Sequence, residues 1–265
     1  MPVRERRLED VLAGYPVVVF DLDGVIVDSN ELKADCVREV FAGFPGELVE
    51  GFVAEFRRTF GRSRRAHFAA FHSGGMERGL AGPDFEEFYE RYAGAYAALL
   101  AERYPRAPLC AHAERLVTAL SARGVPLHVA TGTLTAEAVG VLGGAGLLGA
   151  FRSVLGGEEP KSRRLAQILA RAGADPREAV LIGDSRQDAL AADEAGTDFL
   201  LVTRYGFFPP EQVLHDRPGR AARTVTDLDP DGPVHESPAP AAIAGIAGIA
   251  TAAVTAVTAV TAPRG

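Results

Sequence analysis

Cysteine is scarce in this chain, and so is lysine. The two cysteines, Cys36 and Cys110, lie far apart and form no CxxC pattern. Such usage favours two reduced thiols in a cytosolic protein over a disulfide framework. Lysine occurs only at Lys33 and Lys161, so arginine supplies the other basic side chains. Residues 1–15 lack the apolar core of a signal peptide, and we therefore expect a cytoplasmic protein.

An excess of positive charge is also missing. The 265 residues have a formal net charge of −7 and a pI near 5.5. A chain this acidic is a poor candidate for general binding to nucleic acid. Bulk charge cannot collect anionic substrates either, so local groups must bind any anion. The sequence leaves open whether the protein is a monomer or a homodimer.

Short apolar runs alternate with helical periodicity along most of the chain. Buried strands are expected where the runs are most apolar, and three helices between them are followed by glycine, which favours helix ends. This alternation predicts an α/β fold with a doubly wound, Rossmann-like parallel sheet. The predicted strands are 16–20, 127–130, 179–182 and 199–202, with weaker candidates at 153–155 and 224–226, and the predicted helices are 113–122, 165–172 and 187–195.

The first two of these strands are separated by about a hundred residues, too many for one crossover. Phenylalanines recur in this segment at helical spacings, which favours the core of a helical bundle. We therefore predict a core domain from residues 1–30 and 105–230, with a helical cap domain inserted at 31–104. The phenylalanines are Phe41, Phe44, Phe52, Phe56, Phe60, Phe68, Phe71, Phe85 and Phe88.

The composition changes after residue 230. Residues 231–265 are predicted to be a turn-rich linker followed by a low-complexity tail of alanine, valine and threonine. The uncharged stretch at 241–262 is long enough to cross a bilayer. Alanine, glycine and threonine supply little transfer energy, however, and aromatic anchors are missing. We therefore expect a low-complexity tail rather than a membrane anchor.

Polar motifs follow three of the apolar strands. Asp21 and Asp23 follow the first strand, and Gly24 permits a tight turn there. Thr131 and Gly132 follow the second strand and can offer a hydroxyl and backbone N–H groups to a phosphate. Ligands bind beyond the carboxyl ends of strands in open α/β sheets, so these motifs predict a site at that edge.

Two further motifs belong to the same predicted edge. Asp184 and Asp188 flank the expected start of a helix, where one carboxylate can reach a metal directly and the other indirectly. Lys161 lies between the second motif and these acids and can neutralise a carboxylate or bind a phosphate oxygen. Each motif alone is weakly specific, since helix capping explains several of them. Their combination and order predict phosphate chemistry.

In this order the motifs resemble those of the haloacid dehalogenase-like (HAD) hydrolase superfamily over residues 14–230, and the insertion resembles its helical type 1 cap. The resemblance implies a phosphatase that uses Mg²⁺ and a phospho-aspartyl intermediate, acting on a small-molecule phosphate ester. The implied roles are nucleophile for Asp21, acid and base for Asp23, phosphate binding for Thr131, Gly132 and Lys161, and Mg²⁺ binding for Asp21, the Asp23 carbonyl and Asp184, with Asp188 behind them.

Two points stay open at this level, and a third possibility is disfavoured. Arg163 could share or take the role of Lys161, because the third motif departs from the usual spacing. A phosphomutase of the β-phosphoglucomutase type is the alternative function, although such relatives carry a histidine where this chain has Glu31-Leu32-Lys33-Ala34. Lys33 comes too early to be the Schiff-base lysine of a phosphonoacetaldehyde hydrolase.

The substrate is also open. Asp23 argues against a dehalogenase, whose chemistry has no alkoxide that needs a proton. Sugar, cyclitol and glycolate-type phosphates all suit a capped site. Within the predicted cap, Gly61-Arg62-Ser63-Arg64 resembles a segment of other capped phosphatases, and Arg64 is the candidate substrate contact, although a solvated basic helix face explains it equally well.

Overall fold

The computed structural model describes residues 6–215, 217 and 222–237. The strands are β1 (Arg6–Arg7), β2 (Val17–Phe20), β3 (Leu127–Ala130), β4 (Phe151–Leu155), β5 (Ala179–Gly183), β6 (Asp198–Val202), β7 (Ala222–Val225) and β8 (Pro233–Ser237). The helices are α1 (Leu8–Leu12), α2 (Asn30–Val40), α3 (Gly46–Arg58), α4 (Arg64–Glu77), α5 (Phe85–Arg103), α6 (Ala113–Ala122), α7 (Thr135–Gly144), α8 (Lys161–Ala172), α9 (Arg186–Ala195) and α10 (Pro210–Val213).

The strands form one sheet in the order β1-β8-β7-β6-β5-β2-β3-β4. Neighbouring strands from β7 to β4 are parallel, and β8 pairs antiparallel with both β7 and β1. The chain proceeds from β2 toward β4 on one side and from β5 toward β7 on the other. The adjacent strands β2 and β5 therefore mark the switch point, where α/β sheets of this kind bind ligands.

Alternate side chains of β2 enter two different apolar cores. Val18 and Phe20 belong to the core shared with α1, α2, α6 and α7. Val17 and Val19 belong to the core on the other face, with α8 and α9. Because successive residues of a strand point to opposite faces, one short apolar strand contributes to both layers. The predicted α/β fold with a doubly wound, mostly parallel sheet is confirmed.

Helices α2 to α5 are the first four of the five α-helices between β2 and β3. Their apolar faces meet around Phe41, whose ring stacks on Phe71 at 3.9 Å between centroids and packs edge-on to Phe68 at 5.3 Å. Aromatic pairs in such geometries stabilise a core beyond the area they bury. Most of the predicted phenylalanines are buried, whereas Phe44 and Phe85 are only partly buried. The segment is therefore helical, as its periodicity predicts.

The predicted linker after residue 230 is wrong in its first part. Residues Pro233–Ser237 form β8, which pairs with β7 and buries Val234. The turn is closed by the Gly232 N–H, which donates to the Asp229 carbonyl at 2.9 Å. The turn residues are thus followed by a strand of the sheet. This strand is recognised only from its backbone pairing with β7. The predicted tail at 241–262 lies outside the described residues.

Three smaller findings concern the described ranges. Helix α8 begins at Lys161, four residues before its predicted start. Cys36 and Cys110 are both free and buried, as expected of reduced thiols. Within the described parts of the chain, none of the helices combines the length and apolar character that crossing a membrane requires.

Candidate active site

The loop after β2 brings the first motif to the carboxyl edge of the sheet. The Asp21 N–H donates to the Ile182 carbonyl at 2.8 Å, which continues the pairing of β2 with β5. Gly24 has a φ of +74°, and a Cβ there would lie 2.0 Å from Asp184 Oδ2. Glycine is therefore required both for the left-handed turn and for the close approach of Asp184. The side chains of Asp21 and Asp184 are buried at this point.

Asp21, Asp184 and Asp188 form a buried cluster of carboxylates. Each offers an oxygen within 4.8 Å of the others. Burial raises the pKa of Asp21 to about 7, with Asp188 and Asp23 adding to the rise while Lys161 opposes it. Burial, Asp188 and Asp21 also raise the pKa of Asp184 well above its usual range. Asp21 and Asp184 therefore lose their protons less readily than ordinary carboxyls, and an added positive charge would favour their ionised forms.

This cluster fits a divalent cation that prefers oxygen ligands. Asp184 Oδ2 accepts a hydrogen bond from Asn30 Nδ2 at 2.6 Å. Its other oxygen, Oδ1, is buried and has no hydrogen-bond partner among the described residues. A buried carboxylate oxygen without a donor is costly unless a cation or water satisfies it. Hard carboxylate oxygens at the edge of the sheet suit Mg²⁺.

Lys161 brings a positive charge to this cluster. Its buried Nζ lies 2.9 Å from Asp21 Oδ1 and donates to Asp188 Oδ1. Burial alone would lower the pKa of Lys161, but Asp188 and Asp21 outweigh it and raise the pKa. Arg163 is exposed on α8. Of the two candidates for the third motif, the structure brings Lys161 to Asp21.

Asp188 has a second contact that keeps it in place. Its Oδ2 accepts from the Ser185 N–H at 3.1 Å and from Ser185 Oγ at 2.6 Å, closing a capping box at the start of α9. A capping box satisfies two free N–H groups of the first helical turn. Asp188 therefore both caps α9 and belongs to the carboxylate cluster.

Asp23 lies in a different environment from Asp21. Its Oδ1 accepts hydrogen bonds from Ser29 Oγ at 2.6 Å and Tyr104 OH at 2.7 Å, and Lys33 Nζ lies 2.5 Å away. Its Oδ2 accepts from Thr133 Oγ1 at 2.6 Å. Burial would raise the pKa of Asp23, but Lys33 and the hydrogen bonds lower it below its usual value. Asp23 is therefore ionised in this state.

Sequence reasoning missed Lys33 as part of the site. Its buried ammonium pairs with Asp23, donates to Thr133 Oγ1 and lies 4.5 Å from the centre of the Tyr104 ring. A signal was present in the composition, because Lys33 and Lys161 are the only lysines of the chain, and Lys33 also shares one face of α2 with Asn30. Asn30 contacts Asp184, so that face of the helix points at the site.

Two further residues were also missed. Thr133 Oγ1 donates to Asp23, and its N–H donates to Thr131 Oγ1 at 3.1 Å. Arg164, rather than its exposed neighbour Arg163, is buried and donates to the Thr131 carbonyl. This contact ties the start of α8 to the loop after β3. The missed residues became identifiable only when these loops were seen together.

The second motif meets the helical insertion at close range. Thr131 is fully buried, and its Oγ1 lies 3.4 Å from Asp23 Oδ2. A Cβ on Gly132 would lie 2.9 Å from the Gly61 carbonyl oxygen and 3.1 Å from that of Arg62. Only glycine lets the two backbones approach this closely. The loop between α3 and α4 therefore packs directly against Gly132, one of the candidate phosphate-binding residues.

Arg64 lies beside the site but is already paired. One guanidinium nitrogen donates to both carboxylate oxygens of Glu137 on α7, at 2.8 and 2.6 Å. The guanidinium also lies over the Tyr96 ring, 4.8 Å from its centre. Arg64 thus links α4 in the insertion to α7 in the sheet layer. Its role as a substrate contact stays a prediction.

A small cavity joins these groups. It has a volume of about 40 Å³ and lies between the insertion and the carboxyl edge of the sheet. Its lining combines the two acids and Lys33 with apolar side chains of the insertion. The lining residues are Asp21, Asp23, Lys33, Phe56, Phe60, Gly61, Arg62, Arg64, His67, Phe68, Tyr96, Leu100, Gly132 and Thr133.

Comparison with known proteins agrees with this arrangement. The model of the hydrolase family described as haloacid dehalogenase-like hydrolase matches residues 15–196. The chain belongs to the haloacid dehalogenase-like hydrolase family. The family predicted from the order of the motifs is thus confirmed, and the chain is a hydrolase.

Two similar proteins are both described as phosphoglycolate phosphatases. The chain is 28% identical over 224 residues to phosphoglycolate phosphatase 1 of Pseudomonas aeruginosa, covering 81% of this chain and 78% of that protein. It is 30% identical over 203 residues to a phosphoglycolate phosphatase of Caulobacter vibrioides, covering 70% and 78%.

A solved structure from Haemophilus somnus, described as a predicted phosphoglycolate phosphatase, superposes with a TM-score of 0.65 at 20% identity. The match covers 81% of this chain and 95% of that one. At this level of identity the likeness shows the shared fold.

Proposed function

We propose that this HAD-like hydrolase is a Mg²⁺-dependent phosphatase that cleaves a small phosphate monoester through a phospho-aspartyl intermediate on Asp21. The observation that carries the proposal is the buried contact of Asp21 with Lys161, beside Asp184 and Asp188, where β2 and β5 end. A carboxylate nucleophile needs neighbouring positive charge, because a dianionic phosphoryl group otherwise repels it. The similarity to phosphoglycolate phosphatases supports this chemistry.

In this proposal Asp21 is the nucleophile, and Asp23 is the general acid and then the general base. A carboxylate oxygen of Asp21 bonds to phosphorus while the bond from phosphorus to the alcohol oxygen breaks, and Asp23 donates its proton to the departing alkoxide. In the second step Asp23 takes a proton from water, the water oxygen bonds to phosphorus, and the bond to Asp21 breaks. Inorganic phosphate and free Asp21 result.

The surroundings of Asp23 suit this alternation. Without substrate, Lys33 and hydroxyl donors keep Asp23 ionised, which is the form that the second step requires. A phosphate dianion bound beside it disfavours that charge and favours the protonated form needed in the first step. Lys33, through its contact with Asp23, is therefore placed to influence both steps.

The remaining residues bind the phosphoryl group. We assign Lys161, the Thr131 hydroxyl and the Gly132 N–H to its oxygens, where preorganised donors stabilise developing charge. Mg²⁺ would be bound by Asp21, the Asp23 backbone carbonyl and Asp184, with Asp188 behind them. Its contribution when bound is to neutralise charge on the phosphoryl oxygens.

The division into two domains belongs to the same proposal. Residues 1–30 and 105–230 would form the core domain, and the helices within 31–104 would form a cap that excludes water from the cavity. Arg64 would belong to the substrate side of that cap. The substrate would be a sugar, cyclitol or glycolate-type phosphate, handled in the cytoplasm.

The test is phosphate release from a panel of small esters with Mg²⁺, comparing the natural protein with Asp21→Asn. We expect release by the natural protein and at least a thousandfold loss in the variant, since nucleophile removal in enzymes costs about this much or more. Asp35→Asn, an exposed change of the same kind on α2, is the control and should keep full activity. Undiminished release by Asp21→Asn would overturn the assignment.

A further inference from the structure

Asn30 is the only asparagine of the chain and takes part in none of the proposed catalytic steps. It is the first residue of α2, and its side chain is buried among the loops that follow three adjacent strands, β2, β5 and β6. Its Nδ2 donates to Asp184 Oδ2 at 2.6 Å and to the Tyr205 carbonyl oxygen at 3.0 Å. A primary amide has two N–H donors, so both are used here.

The orientation of this amide follows from its neighbours. The Tyr205 carbonyl oxygen can only accept a hydrogen bond, and a reversed amide would place Asn30 Oδ1 against it. The NH₂ group must therefore face Asp184 and Tyr205. Asn30 Oδ1 is left buried, with no hydrogen-bond partner among the described residues. A buried oxygen without a donor is costly, so loop packing alone is a poor explanation for an amide at this position.

The two side-chain oxygens of Asp184 have different surroundings. Oδ2 accepts from Asn30 and lies so close to Gly24 that no Cβ fits there. Oδ1 is buried and lacks a hydrogen-bond partner among the residues that the structure describes. A Cβ on Gly206 would lie 2.6 Å from the Asp184 backbone oxygen, so the loop after β6 also packs closely on this residue. Asp184 therefore has one oxygen engaged and one available to a cation.

The number of oxygens that a carboxylate offers affects which cation it binds. Mg²⁺ requires near-octahedral geometry and retains several waters, whereas Ca²⁺ takes about six to eight oxygens and accepts a carboxylate through both of its oxygens. The hydrogen bond from Asn30 to Oδ2 therefore disfavours the two-oxygen binding that suits Ca²⁺.

We infer that Asn30 is a positioning residue that leaves Asp184 with one oxygen for the cation and thereby makes the site prefer Mg²⁺ to Ca²⁺. The inference rests on the proposed function, in which Mg²⁺ binds at Asp21 and Asp184. It also gives the start of the insertion a role in the cation site, because Asn30 is the first residue of α2. Hydrogen-bond partners of metal ligands typically contribute about 10–100-fold to metal affinity.

Calorimetric titration of the metal-free protein with Mg²⁺ and, separately, with Ca²⁺ tests the inference. Asn30→Ala should raise the Kd for Mg²⁺ about tenfold, at the lower end of the range for such partners. The Kd for Ca²⁺ should rise less than about threefold or fall, because Asp184 Oδ2 becomes available as a second ligand. The preference for Mg²⁺ over Ca²⁺ should therefore decrease at least about threefold.

Two comparisons separate the loss of the donor from a loss of packing. Asn30→Val also removes the amide but fills more of the space than alanine, and it should shift the ion preference in the same direction. Circular dichroism establishes folding, and either folded variant decides the case. Gln167→Ala removes an amide that donates to the exposed Glu159, also at 2.6 Å, and it should change neither Kd.

The possible outcomes distinguish this inference from the function on which it rests. Equal weakening of both ions by Asn30→Ala, or an unchanged Kd for Mg²⁺, would refute the role of Asn30. Failure of the natural protein to bind Mg²⁺ would refute it together with the cation site of the proposed function. Absence of phosphate release from any ester, with the expected ion preference intact, would count against the phosphatase alone.

Discussion

Single residues in this site have their chemistry set by neighbours from distant parts of the chain. Asp21 and Asp23 are two residues apart, yet the pKa of Asp21 is raised to about 7 by burial and nearby acids while that of Asp23 is lowered. The difference comes from Lys33, which contacts Asp23, and from the acids beside Asp21. Environments that separate two pKa values in this way are typical of acid–base sites.

At this scale, Lys161 and Arg163 make a matched comparison. Lys161→Met should lower kcat at least a hundredfold, because removal of one charge-stabilising donor in an active site typically costs 10²–10³. Arg163→Met removes an exposed charge from the same helix and should change kcat less than about twofold. Phosphate-release kinetics measure both, with circular dichroism to establish folding. A comparable loss in the two variants would contradict the assignment of Lys161.

The insertion and the sheet domain meet at this site through close backbone contacts, where the side chain of a larger residue does not fit. The loop between α3 and α4 touches Gly132 after β3, and Gly61 in that loop has a φ of +93° with Ser185 and Gln187 close by. The insertion is also joined to α7 by the bond between Arg64 and Glu137. These contacts help to fix the position of the insertion over the sheet edge.

Gly132→Ala tests this contact between elements. The new Cβ would press on two backbone carbonyl oxygens, so the loop must move or the strand end must shift. We expect a loss of about 1–3 kcal/mol in the free energy of unfolding, as overpacking usually costs. We also expect about a tenfold fall in kcat/KM. Urea unfolding and phosphate-release kinetics measure these two quantities.

Gly140→Ala is the matched control for that substitution. Gly140 lies within α7, and a Cβ there would meet no atom within 4 Å. Alanine in a helix interior is favoured over glycine by about 0.5–1 kcal/mol, so this variant should be slightly more stable and fully active. A destabilisation by Gly140→Ala equal to that of Gly132→Ala would show that the close backbone approach is not the cause.

For the molecule as a whole, the cluster of buried acids makes stability depend on pH and on cations. Asp21 has an ordinary pKa of 3.8 in an unfolded chain and about 7 in the fold. Its protonated form favours folding fully below pH 3.8, and this contribution is lost as the pH rises toward 7. A bound divalent cation would favour the ionised form instead.

Thermal unfolding of metal-free protein measures this linkage. Asp21→Asn should melt progressively higher than the natural protein as the pH rises from about 4 to 7, with a constant difference above 7. For a chain of this size, 1 kcal/mol corresponds to about 2–4 °C in Tm. Added Mg²⁺ should raise the Tm of the natural protein more than that of the variant. A difference in Tm independent of pH would contradict the raised pKa.

The sequence by itself determined the sheet class, most strand positions, the helices α6, α8 and α9, and the order of the candidate catalytic motifs. Those features are local or nearly so. Apolar runs indicate buried strands, glycine after periodic segments indicates helix ends, and polar groups after parallel strands must share one edge. Asp21, Asp184 and Lys161 could therefore be predicted to meet before any contact was known.

Only the tertiary structure decided which side chains complete the site. Lys33 against Asp23, Arg64 on Glu137, Arg164 instead of Arg163 beside Thr131, and β8 at the edge of the sheet all join segments distant in sequence. Periodicity says which face of a helix is buried but not which partner it meets. That choice depends on how the insertion packs on the sheet, a cooperative outcome of the whole chain that no single segment encodes.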